Sequence, residues 1–113
     1  MSVDLLIEYK DRTRADVHHP FASYRVLTEG WWPLAASLHL ETLKCLECLF
    51  ITKKEEAEML VVELKQVQTY LQSPGQRDIS PEVAAHMLDR IRRTLPLIEQ
   101  AVAEWDAVAE LSI

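Results

Sequence analysis

Glycine is scarce in this chain, with two residues among 113. Hydrophobic residues make up 49% of the sequence. This composition favours a packed helical domain over a disordered chain or an all-β fold. The length fits one domain, which spans residues 1–113 and can bury a core without a disulfide or metal to stabilise it. We therefore expect a single all-α domain.

Basic charge is also limited, and the net charge is −6. A general nucleic-acid binder relies on a basic surface, so we expect no nucleic-acid partner. The N-terminus has no basic segment followed by a long apolar core, which predicts no signal peptide. With two cysteines and no export signal, the expected location is the cytoplasm.

Catalytic motifs are missing as well. The sequence has no Gly-rich phosphate loop, no G-x-S-x-G and no H-E-x-x-H. We therefore expect a protein that is not an enzyme and that needs no cofactor.

The stretch from Pro33 to Ile51 is apolar on most sides of a helical wheel. A narrow polar stripe and a few charged residues interrupt it, which disfavours insertion into a membrane. We interpret it as a buried central helix that begins at Pro33, whose φ suits the first helical turn. Leu43 and Leu46 are expected to be almost fully buried.

Residues 1–30 are harder to assign. Val3 to Lys10 alternate between apolar and polar residues, which suits a strand. However, no other segment resembles a partner strand, and a lone strand leaves backbone groups unpaired. We favour a helix over residues 2–16, broken before Pro20, and a short helix over residues 20–29 that ends at Gly30.

Two further helices have stronger signals. A capping box from Thr52 to Glu55 predicts a helix over residues 53–72. Ser80 and Pro81 predict the start of a last helix that continues to Leu111 and is kinked at Pro96. Its apolar seam follows a 3.5-residue repeat, with these members: Ala84, Leu88, Ile91, Leu95, Ile98, Val102, Trp105 and Ala109. The predicted architecture is an antiparallel bundle of three long helices with a helical N-terminal segment.

The last helix would overhang its neighbour. Its end would expose Val102, Trp105 and Ala109, an apolar stripe that soluble monomers usually avoid. A second copy of the chain or the N-terminal segment could cover the stripe, and we favour the second copy. The sequence thus predicts a homodimer, with another protein as a possible further partner.

Trp31 and Trp32 lie at the junction before the central helix. Such aromatic residues often anchor interfaces, but more often an adjacent pair closes the end of a bundle. We include both as candidate interface residues. The long apolar seam and the absence of catalytic motifs favour a small soluble non-catalytic protein that acts through protein–protein contacts.

Cys45 and Cys48 form a C-x-x-C motif, which in other contexts binds metal or undergoes redox chemistry. A structural zinc site needs four ligands, and no second C-x-x-C is present. His39 is a further candidate ligand or base. The alternative function is therefore a ligand-, metal- or redox-binding module that uses His39, Cys45 and Cys48. We nevertheless expect the protein to carry no metal.

Overall fold

The computed structural model describes residues 2–113. It is a mixed α/β structure in which four antiparallel strands form one sheet in the order β2-β1-β4-β3. The strands are β1 (Ser2–Tyr9), β2 (Val17–Ser23), β3 (Phe50–Ile51) and β4 (Val108–Ser112). The all-α helical bundle predicted from the sequence is therefore wrong.

Four α-helices accompany the sheet. They are α1 (Tyr24–Val26), α2 (Trp32–Ser37), α3 (Lys54–Leu71) and α4 (Pro81–Ala103). A π-helix (Leu27–Trp31) joins α1 to α2, and 3-10 turns occupy Leu43–Cys45 and Trp105–Ala107. No helix among residues 2–113 has the length and apolar character needed to cross a membrane.

The N-terminal segment is a hairpin and not a helix. Val3, Leu5, Ile7 and Tyr9 are buried, while the residues between them point to the other face. The partner strand, β2, contains Pro20, which concealed it in the sequence. An edge strand tolerates proline because its outer N–H groups need no partner in the sheet.

The predicted central helix is also wrong. Helix α2 ends in a Schellman motif, in which His39 adopts a positive φ of 56°. The N–H of Leu40 donates to the carbonyl of Ala35 at 2.8 Å, and that of His39 donates to Ala36 at 3.4 Å. The chain then forms an irregular segment over residues 40–49. Leu43 and Leu46 in this segment are buried as predicted.

Helix α3 confirms the predicted helix over residues 53–72 within one residue at each end. The N-terminal cap differs in detail, because Glu56 and not Glu55 accepts hydrogen bonds from the N–H groups of Thr52 and Lys53. The hydroxyl of Thr52 also donates to Glu56 at 2.9 Å. This bond, followed by those from the backbone N–H groups, holds the pKa of Glu56 below its usual value.

Helix α4 starts as predicted, with Ser80 accepting from the N–H of Val83. It continues through Pro96, which confirms one helix at that position. It ends at Ala103, however, and the predicted continuation to Leu111 is wrong. The chain turns back as β4, which pairs with β1 and β3 and buries Leu111 in the core.

The core lies between one face of the sheet and the helices. Buried residues from β1, β2, β4, α3 and α4 form one continuous cluster. The opposite face of the sheet carries Leu6, which does not pack against that cluster. The fold therefore leaves one face of the sheet open.

Candidate functional site

A row of four side chains crosses the face of the sheet that is turned away from the core. The strand register places His18 opposite Leu6, Leu6 opposite Ser112, and Ser112 opposite Phe50. Residues paired in this way lie on the same face, about 5 Å apart. Leu6 is half-buried, and Phe50 has 63% of its surface exposed, the largest exposed fraction among the large hydrophobic residues from 2 to 113.

Carboxylates flank this row. Glu8 and Glu110 are paired across β1 and β4, and Asp4 lies on the same face of β1. His18 is within hydrogen-bond distance of Asp4, with 2.9 Å between Nε2 and Oδ2. The open face thus combines exposed apolar side chains with negative charge. We call the set Asp4, Leu6, Glu8, His18, Phe50, Glu110 and Ser112 the open face.

A groove adjoins the open face where β3 ends. Strand β3 pairs only with Leu111 and Ser112, so the outer edge of β4 from 108 to 110 has no neighbouring strand in the described structure. The groove has a volume of about 530 Å³. Its lining includes Lys10, Phe50, Trp105, Asp106, Ala109 and Glu110. The groove therefore offers a binding partner both an apolar contact area and an unpaired strand edge.

Two of the five predicted interface residues meet in this groove. Trp105 lies in the 3-10 turn after α4, and Ala109 is the extra residue of a bulge in β4. Val102 is partly buried near the end of α4. These three residues do not form one helical stripe, because the helix ends before Trp105.

The two adjacent tryptophans lie elsewhere. Trp31 is fully buried, and its ring centroid is 4.8 Å from that of Phe21. Trp32 is half-buried, and its indole N–H donates to the carbonyl of Leu46 at 3.1 Å. In this structure both therefore support the core and the irregular segment, while their assignment to an interface remains a prediction.

The candidate ligand residues are all exposed. Cys45 and Cys48 are free cysteines in the irregular segment. His39 follows α2 and adopts the positive φ of the Schellman motif, so its backbone conformation has a structural role. Among residues 2–113, no group of three His, Cys, Asp or Glu side chains is arranged to hold a metal ion.

Phe50 and Leu6 were not predicted from the sequence as contact residues. The sequence predicts Phe50 on the apolar surface of a buried helix. Leu6 carried a usable signal, because it is the one apolar residue among the outward positions of β1, namely Ser2, Asp4, Leu6 and Glu8. A strand over β1 places Leu6 on the outward face of the sheet, away from the core.

The chain matches no family model, no curated protein and no solved structure. The geometry of the open face and of the groove is therefore the basis for assigning a function.

Proposed function

We propose that this protein is a non-catalytic binding protein and that its open face, with the adjoining groove, contacts another protein. The observation that carries the proposal is the exposed ring of Phe50, which lies in one row with Leu6 and lines a groove shared with Trp105. Aromatic residues contribute strongly to protein interfaces because they bury a large apolar area with few rotatable bonds.

The charge of the open face favours a partner with basic side chains. Glu8 and Glu110 already face each other across two strands, and Asp4 lies nearby. Lys10 is the basic residue that lines the groove. Placing Arg or Lys of a partner near the paired carboxylates would relieve their repulsion, and complementary charge also speeds encounter.

A homodimer stays a prediction. A two-fold contact through the open face would bring Glu8 and Glu110 of both copies together, which costs free energy. This argument favours a different protein as the partner, although the same experiment reports a second copy through an adduct of twice 13.0 kDa.

Site-specific photocrosslinking tests the proposal. A photoreactive phenylalanine analogue replaces Phe50 in the full chain, which is expressed in its source cells and irradiated. The matched control carries the analogue in place of Met59, which is 49% exposed on α3. We expect a discrete adduct from position 50 that is absent from position 59. No adduct, or equal adducts from both positions, would contradict the proposal.

Charge reversal tests the expected chemistry of the partner. Glu8→Lys combined with Glu110→Lys should abolish the adduct from position 50, because two repulsive charges would then face a basic partner. Glu55→Lys combined with Glu58→Lys changes the net charge equally at exposed positions of α3. That control should keep the adduct. If both double variants lose it, net charge and not the open face determines binding.

We also propose a cytoplasmic location. Its support is that Cys45 and Cys48 are exposed free thiols, which persist in a reducing compartment. The test is to compare alkylation of the Cys45 and Cys48 thiols in intact cells with that in a secreted fraction. The protein should be found in the cells, with both thiols alkylated.

A further inference from the structure

Cys45 and Cys48 occupy the first and last positions of a four-residue turn. The N–H of Cys48 donates to the carbonyl of Cys45 at 3.1 Å. Leu46 has φ −54° and ψ 135°, and Glu47 has φ 115°. These angles correspond to a type II turn, in which the third residue needs a positive φ. The motif therefore lies in a turn, and not within a helix as the sequence predicted.

This turn brings the Cα atoms of the two cysteines close together, while the Cys45 thiol lies 3.7 Å from the carbonyl of Glu41. The first and fourth Cα atoms of a β-turn are less than about 7 Å apart. Disulfides usually join residues whose Cα atoms are about 4.4–6.8 Å apart. Both cysteines are free and exposed, so an external reagent can reach either thiol.

Neighbouring contacts hold the turn in place. Leu46, between the two cysteines, is only 2% exposed. Its carbonyl accepts the hydrogen bond from the indole of Trp32. Leu49, which directly follows Cys48, exchanges two backbone hydrogen bonds with Ile113 at 3.2 and 3.0 Å. The folded structure thus holds the backbone of the turn between the two cysteines and directly after Cys48.

Glu47 adds a second feature. A non-glycine residue at positive φ is strained, and it persists only where the surrounding structure imposes it. The type II turn usually has glycine at this position, whereas this chain has a glutamate. The fold therefore maintains the turn against a local cost, and with it the proximity of the two cysteines.

We propose that Cys45 and Cys48 form a redox pair that is oxidised to an intrachain disulfide by small-molecule disulfides. In the first step, the thiolate of one cysteine attacks a sulfur of the small disulfide. A mixed disulfide forms, the original S–S bond breaks, and one small thiolate leaves and takes up a proton.

In the second step, the thiolate of the other cysteine attacks the cysteine sulfur of the mixed disulfide. The intrachain S–S bond forms, and a second small thiol leaves. The pair loses two electrons and two protons, and the small disulfide gains them to become two thiols. Excess small thiol reverses both steps. This site is independent of the open face and does not depend on the proposed contact with a partner.

The test uses the full chain in glutathione buffers in which the ratio of disulfide to thiol is raised stepwise. Each sample is quenched with acid, alkylated and weighed by intact mass spectrometry. At low ratios of disulfide to thiol, we expect the wild type to carry two alkylated cysteines. At high ratios we expect an unalkylated monomer whose mass is lower than that of the reduced protein by two hydrogens. No glutathione adduct should persist at any ratio. Addition of excess reduced glutathione should restore both alkylation sites.

The matched variants are Cys45→Ser and Cys48→Ser, at exposed positions where the change should leave folding intact. Each should accumulate one glutathione adduct, because no second thiol is present to displace it. Three results for the wild type would overturn the proposal: persistent glutathione adducts, a disulfide-linked dimer, or alkylation of both cysteines at every ratio. A circular dichroism spectrum of each variant verifies that the comparison concerns folded protein.

Discussion

Arg14 and Glu104 connect the β1–β2 hairpin to the end of α4 through two hydrogen bonds. The two guanidinium N–H groups donate to the two carboxylate oxygens at 3.1 and 2.8 Å. The guanidinium also lies 3.6 Å from the ring centroid of Tyr9. This bidentate geometry fixes both partners, and it fastens the point where the chain leaves α4 to form β4.

This contact predicts a specific dependence of stability on pH. The hydrogen bond from Arg14, followed by that from Gln100, lowers the pKa of Glu104 below its usual value. A carboxylate with a lowered folded pKa stabilises the protein above its unfolded pKa, which is about 4.3 for glutamate. That contribution is lost as the pH falls through the folded pKa.

Glu104→Gln should therefore weaken the decrease in unfolding free energy as the pH falls below about 4. Urea unfolding curves at a series of pH values measure this slope. Glu58→Gln is the control, since Glu58 is exposed on α3 and forms no ion pair among residues 2–113. Equal slopes for wild type and Glu104→Gln would show that the ion pair does not affect acid stability.

A second prediction concerns Leu43 in the irregular segment. Leu43 is fully buried although it lies in a 3-10 turn and not in a helix. Leu43→Ala should lower the unfolding free energy by about 2–5 kcal/mol, because the lost side chain leaves a cavity. Val62→Ala on α3, at a position that is 48% exposed, should have a much smaller effect. Similar losses in the two variants would contradict the burial of this segment.

The helices of this fold were the easier part to predict. Ser80 and Pro81 mark the start of α4 locally, and the buried positions of α3 recur at helical spacing. Such signals depend on residues close in sequence. The sheet depends instead on contacts between distant segments, because β1 pairs with β4 across almost the whole chain. Alternation in β1 was visible, but its partners were not.

Low glycine content misled the assignment of fold class. Several turns between these elements are formed by residues other than glycine, although Gly75 has a positive φ in the connection between α3 and α4. Asp11 accepts from the N–H of Thr13 at 2.9 Å in the β1–β2 turn. His39 and Glu47 adopt positive φ, and together they divide the predicted central helix. Scarce glycine therefore does not exclude a short antiparallel sheet.

The candidate site was only partly predictable for the same reason. The sequence places Trp105 and Ala109 in the apolar seam of one helix. In the structure they line one groove, because β4 folds back beside the turn after α4. Phe50 could not be predicted as exposed without knowing that a strand of two residues begins there. Cys45 and Cys48 were evident from their spacing, but their exposure depends on the turn.

A third prediction tests how Glu63 supports the irregular segment. This side chain is 4% exposed. Its carboxylate accepts from the N–H of Thr42 at 3.1 Å and from that of Leu43 at 2.9 Å. Glu63→Leu would leave the N–H of Leu43 buried without a partner, which should cost about 1–3 kcal/mol.

Glu63→Gln retains one acceptor oxygen and should cost less than Glu63→Leu. Denaturant unfolding of both variants measures the difference. Glu58→Leu provides the control for adding an apolar side chain to α3 at an exposed position. If Glu63→Leu proved as stable as the wild type, the hydrogen bonds to Thr42 and Leu43 would not contribute to stability.

The last prediction concerns the close packing of the π-helix against α4 at Gly30. A Cβ atom at this position would lie 2.5 Å from Sδ of Met87 and 2.8 Å from Cγ1 of Val83. The Met87 side chain can rotate away, but a valine within a helix has one strongly preferred rotamer. Gly30→Ala should therefore destabilise the protein by about 1–3 kcal/mol through overpacking, more than the gain in helix propensity offsets.

A double-mutant cycle separates this contact from other effects. Val83→Ala removes Cγ1, so Gly30→Ala should cost less in that background, with a coupling energy of about 0.5–3 kcal/mol. Gly75→Ala is the control: Gly75 has φ 81° and no atom within 4 Å of a built Cβ, so its cost should arise from backbone strain alone. That cost should be the same with or without Val83→Ala. If the effects of Gly30→Ala and Val83→Ala were simply additive, the close approach of the π-helix to α4 would not limit residue size at position 30.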